Sequence, residues 1–163
     1  MSLSDRRTFL ALLAAAPLAA CGFTPVYGPG GAGNVLRNRI QIAAPDTRLA
    51  FQLVARFEER LGRADTPDYM LVYDLETSAR GIAVTGTDNI TRINLTGTLA
   101  YRVTEAGSNL QVAAGQISTF SAYSTTGTPV ATASAERDAE DRLMTALADQ
   151  LVSRLLSSAG RWT

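Results

Sequence analysis

The stretch "RINLTGTLAYRVTE", Arg92 to Glu105, decides the fold. Ile93, Leu95, Leu99, Tyr101 and Val103 alternate with Arg92, Asn94, Thr96, Thr98 and Arg102. Successive side chains of a strand point to opposite faces, so this period of two describes a strand with one apolar and one polar side. Such a strand belongs to a sheet covered by another layer on one face only.

The pattern extends both ways. From Asp68, Tyr69, Leu71, Tyr73 and Leu75 alternate with Met70, Val72, Asp74 and Glu76, which predicts a preceding strand reaching about Thr85. Downstream, "EAGSN" (Glu105 to Asn109) reads as a hairpin turn and Leu110 to Tyr123 as a further strand. There the apolar phase moves from Leu110 and Val112 to Ile117, which predicts a bulge near Gly115. "RIQIA", Arg39 to Ala43, supplies a short first strand that ends before Pro45.

Two segments change period. Between Asp46 and Leu61, Ala50, Leu53, Val54, Phe57 and Leu61 recur at helical spacing, with Asp46 as the expected N-cap and Gly62 as the stop. After "STTGTP", Ala135, Ala139, Leu143, Leu147, Leu151 and Leu155 form a four-step stripe. It predicts a long helix starting between Pro129 and Ser134 and fading by Ala159. Two one-sided helices and a one-sided sheet predict an α/β (α+β) fold. Its form is a two-layer sandwich: a four-stranded mixed sheet with both helices on one face.

The paired strands on either side of "SARGIAVTGTDNITR" (Ser78 to Arg92) are long. Sixteen residues at about 3.3 Å each reach about 50 Å, whereas a sixteen-residue helix covers only about 24 Å. The distal half of this hairpin is therefore expected to project beyond the helix layer or to bend sharply. Arg80, Arg92 and Arg102 share the parity of the helix-free face and are the candidate ligand-binding residues.

The start of the chain reads differently. Arg6 and Arg7 precede an uncharged run from Thr8 to Ala20, too short for the roughly 20 residues that a spanning helix needs. This is the plan of a signal peptide over residues 1–20. "SDRRTFL" also fits a twin-arginine signal, and the general and twin-arginine export routes both stay open. Leu18-Ala19-Ala20-Cys21 matches the lipobox of bacterial lipoproteins, making Cys21 the lipidation site and the mature N-terminus. Glycine-rich "YGPGGAGN" lacks periodicity, so residues 21–37 are expected to form a lipidated, flexible tether and residues 38–163 a single domain.

Composition narrows the function. Removal of residues 1–20 leaves 13 basic and 14 acidic side chains, a balance that argues against a nucleic-acid partner. Every basic residue is arginine; there is no lysine and no histidine. The usual general base, metal ligand and Schiff-base amine are thus missing, and lipidation of Cys21 leaves no thiol for zinc. "GIAVTGT" (Gly81 to Thr87) lacks the lysine of a phosphate loop and lies between two strands. No metal, no cofactor beyond the covalent lipid and no enzymatic activity are expected.

"CGFTPVYG", Cys21 to Gly28, resembles the mature start of the LptE family of lipopolysaccharide-assembly lipoproteins, in its α-proteobacterial form. The strand, helix, three strands, helix order is similar as well, as is the run of Tyr123, Ala139, Leu147-Ala148 and Leu151 into the last helix. The resemblance implies a non-enzymatic lipoprotein of the outer membrane that faces the periplasm. It implies a place in the lumen of the LptD β-barrel, where such a protein plugs the barrel, helps assemble it and assists lipopolysaccharide transport to the outer leaflet. Without lysine, contact with lipid A phosphates falls to arginine. An accessory lipoprotein of another envelope transport or secretion complex is the alternative reading.

Overall fold

A computed structural model describes residues 28, 31–84 and 90–162. The expected signal peptide, Cys21 and most of the expected tether lie outside the described residues, as does the tip of the long hairpin at 85–89. The elements are α1 (Ala32–Leu36), β1 (Ile40–Ile42), α2 (Arg48–Leu61), β2 (Tyr69–Val84), β3 (Ile90–Glu105), β4 (Gln111–Ser124) and α3 (Pro129–Ser158), followed by a 3-10 turn at Ala159–Arg161.

The sheet has the order β1-β2-β3-β4. β1 runs parallel to β2, and the other pairs are antiparallel, so the sheet is mixed. Parallel neighbours need a crossover, and α2 supplies it. Leu71, Leu95, Leu99, Val103 and Ile117 are buried on one face beneath Leu53, Phe57 and Leu61 of α2 and Leu143, Leu147, Leu151 and Leu155 of α3. No polar or charged residue is buried among the described residues.

Single residues set the element ends. α2 is capped by Thr47, whose hydroxyl accepts from the Ala50 amide at 3.1 Å. The expected cap, Asp46, lies one residue too early, because a capping oxygen reaches the amides two or three residues on. Gly62 ends the helix with φ of 78°, and a Cβ there would lie 1.8 Å from Asn38 Oδ1. Only glycine fits both the left-handed backbone and the close approach. Thr128 caps α3 through the Ala131 amide, with Pro129 at its first position, where the missing amide hydrogen costs nothing.

Three expectations need correction. The tether does not run to residue 37, because Ala32–Leu36 form a helical turn and Leu36 is fully buried beside α3 and the 3-10 turn. The β4 bulge falls at Val112, between the pairs Val103↔Ala113 and Thr104↔Gln111, and the register runs unbroken through Gly115. A break there switches the inward parity from Val112 to Ala113, which accounts for the phase change. The distal hairpin does not clear the helix layer, because β4 flanks β3 as far as the pair Arg92↔Ser124 and α3 buries Leu95 and Tyr123 at that level.

Along β2 alone the distal residues are left uncovered. From Glu76 to Gly81 every residue of β2 is exposed, on both faces of the strand. Register shifts at Gly81/Ala83 and Ala83/Val84 interrupt the ladder beyond that point. At the opposite end, Trp162 packs edge-on against Tyr69 with centroids 4.8 Å apart. Tyr69 Oη donates to the Trp162 carbonyl, and Trp162 Nε1 donates to Ser158 Oγ, fastening the chain end to the start of β2.

Candidate functional site

The candidate surface is the sheet face that the helices leave bare. Cross-strand register puts the even-numbered residues of β2 and β3 there. Arg80 lies opposite Asn94, and Arg92 is two residues along the same strand, so the two arginines are diagonal neighbours about 7–8 Å apart. Arg102 lies between Val72 and Ala114, ten residues and about 33 Å further down β3. The structure therefore brings Arg80 and Arg92 together and keeps Arg102 apart.

All three side chains are exposed, and none makes an ion pair with a described residue. By contrast, the α2 arginines are engaged. Arg56 makes a forked contact with Asp149 at 3.1 and 3.2 Å, Arg60 joins the same carboxylate at 2.9 Å, and Arg48 contacts Glu140. Hydrogen bonds donated to Asp149 and then to Glu59 raise the Arg56 pKa further above its already high value. These pairs tie helix to helix, whereas the sheet-face arginines remain available to a ligand. Asn94 Oδ1, between Arg80 and Arg92 in the register, is buried and has no partner.

The rest of the face is small and polar. Thr98 Oγ1 donates to Ser118 Oγ at 3.3 Å, and Ser118 Oγ donates to the Gly97 carbonyl at 3.1 Å. A shallow trough runs past Val72, Asp74, Ala100, Arg102, Gln111 and Ala114. Two large apolar side chains interrupt the polar field, Val72 at 51% exposure and Phe120 at 70%. The alternation of β2 already puts Val72 on this face, and Phe120 is signalled by its parity, opposite to that of Ile117. Among the described residues there is no group of three or more side chains suited to a metal ion, and no helix long and apolar enough to cross a membrane.

A family model described as LptE, lipopolysaccharide-assembly, matches residues 37–155. Solved structures share the fold. A candidate lipoprotein from Caulobacter crescentus CB15 superposes with a TM-score of 0.66 at 18% identity, covering 80% of this chain and 97% of that one. Rare lipoprotein B from Shewanella oneidensis gives 0.57 at 13% identity, with 74% and 93% covered. Lipoprotein B from Nitrosomonas europaea gives 0.57 at 14%, with 75% and 85% covered. At these identities the likeness is one of fold. No curated protein matches the sequence.

Proposed function

This chain belongs to the LptE family of lipopolysaccharide assembly, and from that premise we propose that it works as a non-catalytic plug in the lumen of the LptD β-barrel. There it supports barrel assembly and helps pass lipopolysaccharide to the outer leaflet. The observation that carries this reading is the bare sheet face, which is long, lined by Thr, Ser and Asn, and broken by only a few charges. A large barrel has a polar, water-lined interior, and a surface of short hydroxyl side chains suits it at little desolvation cost. The lipoprotein names carried by structures of the same fold agree with an acylated Cys21.

Arg80 and Arg92 on the distal hairpin are the lipid A phosphate contacts in this account. Guanidinium groups match phosphate oxygens by paired, charge-assisted hydrogen bonds. Two experiments test the reading. Pull-down from detergent-solubilised outer membranes should recover a β-barrel partner, and recovery of a transporter complex instead would favour the accessory role. Reversing charge at Arg80 and Arg92 together should weaken lipopolysaccharide binding with thermal stability unchanged. Unaltered binding would confine the hairpin to barrel contact.

A further inference from the structure

A cavity of about 400 Å³ lies between the C-terminal end of α3 and the free edge of β4. Tyr101, Gly115, Gln116, Arg154, Ser157 and Arg161 line it. Its floor depends on Gly115: a Cβ there would sit 2.9 Å from Tyr101 Oη and 3.1 Å from the ring. Glycine thus lets the phenol lie across the edge strand with its hydroxyl at the cavity. That hydroxyl is not among the buried unpaired atoms, and it makes no hydrogen bond with a described residue.

Among the described residues, the charges that line the cavity are of one sign. Arg154 and Arg161 are exposed, make no ion pair with a described residue, and share a lining that contains no carboxylate among the described residues. The arginines of α2 and Arg142 of α3 all have acidic partners. The hydroxyl protons nearby are already used, since Ser157 Oγ donates to the Arg154 carbonyl and Ser158 Oγ to the Leu155 carbonyl. Among the described side chains the cavity offers two guanidinium forks, the phenolic proton and the Gln116 amide, so donors outnumber acceptors. Its natural ligand is a group with several acceptor oxygens and negative charge.

We propose that this cavity binds a phosphate-class oxyanion, held by Arg154 and Arg161 with Tyr101 Oη as the third donor. Two planar guanidinium forks favour phosphate oxygens, which accept from several directions at once. The volume exceeds that of a bare ion, a water's share being about 30 Å³, so the group carrying the phosphate fits as well. The site is distinct from the Arg80 and Arg92 pair and does not rest on the barrel reading. Charge reversal at those two positions leaves it intact, so either account can fail alone.

The test is a titration of the full chain in detergent with inorganic phosphate, glycerol 3-phosphate and glucosamine 1-phosphate, followed by NMR. Saturable shifts at Tyr101 and Gly115 are expected. A phosphosugar or glycerophosphate binding at least tenfold tighter than phosphate identifies a lipid headgroup as the source, and equal binding identifies free phosphate. Arg154→Ala with Arg161→Ala should weaken every ligand at least tenfold without moving the unfolding midpoint. Tyr101→Phe, which keeps the ring over Gly115, should weaken binding several-fold. No saturable binding by any of the three, or unchanged affinity in the double variant, overturns the proposal.

Discussion

Tyr73 illustrates how one side chain records the balance of packing against polarity. Its ring sits on the core side of β2, but its hydroxyl is buried without a partner. An unpaired buried hydroxyl costs stability, so Tyr73→Phe should leave the fold unchanged or up to about 1 kcal/mol more stable near neutral pH. Burial, and then the charge of Asp46, pushes the Tyr73 pKa above its ordinary value of 10.0. The folded state therefore holds this proton where the unfolded chain releases it, and stability falls as pH rises above about 10. Tyr73→Phe should remove part of that alkaline loss in pH-dependent urea melts. Tyr123, also raised, by burial and then by its hydrogen bond to Glu136, should retain the rest. An identical alkaline slope in the variant would place the hydroxyl in water.

Glycine makes a second contrast at the same scale. A Cβ at Gly97 would meet Leu147 Cδ1 at 2.8 Å and Leu143 Cδ2 at 3.3 Å, both in the core. Overpacking of this sort should cost Gly97→Ala about 1–3 kcal/mol. Gly107→Ala, with nothing within 4 Å of the new atom, should be silent in the same melts. Equal effects would mean that α3 does not rest on β3 at this point.

At the scale of elements, α3 is the clearest case of pattern becoming packing. Ala139, Leu143, Leu147, Leu151 and Leu155 are all buried, whereas Arg154 is exposed. Leu147→Ala should cost about 2–5 kcal/mol and Arg154→Ala well under 1 kcal/mol in denaturant melts. Comparable losses would refute the assigned face. The long elements were legible because one-sided burial imposes a period, of two in β2 and β3 and near 3.6 in α2 and α3. α1 was not, since "AGNVL" has poor helix propensity and no period, and its order comes from the burial of Leu36. The caps were legible only to within a residue, Thr47 and Asp46 both being good capping types. Parity was enough to place Arg80 and Arg92 on one face, but not to bring Tyr101, Gly115, Arg154 and Arg161 together. The end of α3 near Ala159 was legible, but the cavity also depends on the pairing of β4 with β3 and on the packing of α3 against that edge, which no local pattern records.

Taken whole, the molecule is a long, narrow body. α3, with 30 residues, is about 45 Å long, and the paired strands are of similar reach. Both broad surfaces are dominated by polar side chains, with the helix-side charges largely engaged in pairs between α2 and α3. Such a body can fill a wide aqueous lumen, where the wall meets both layers. A protein docked at the barrel rim would offer only one layer. Photo-crosslinking from single positions in cells separates these arrangements. The probes are Phe120, exposed on the bare sheet face, and Thr145, exposed on the helix side. A plug predicts adducts with the same β-barrel protein from both positions; adducts from one layer alone, or from neither, would contradict it.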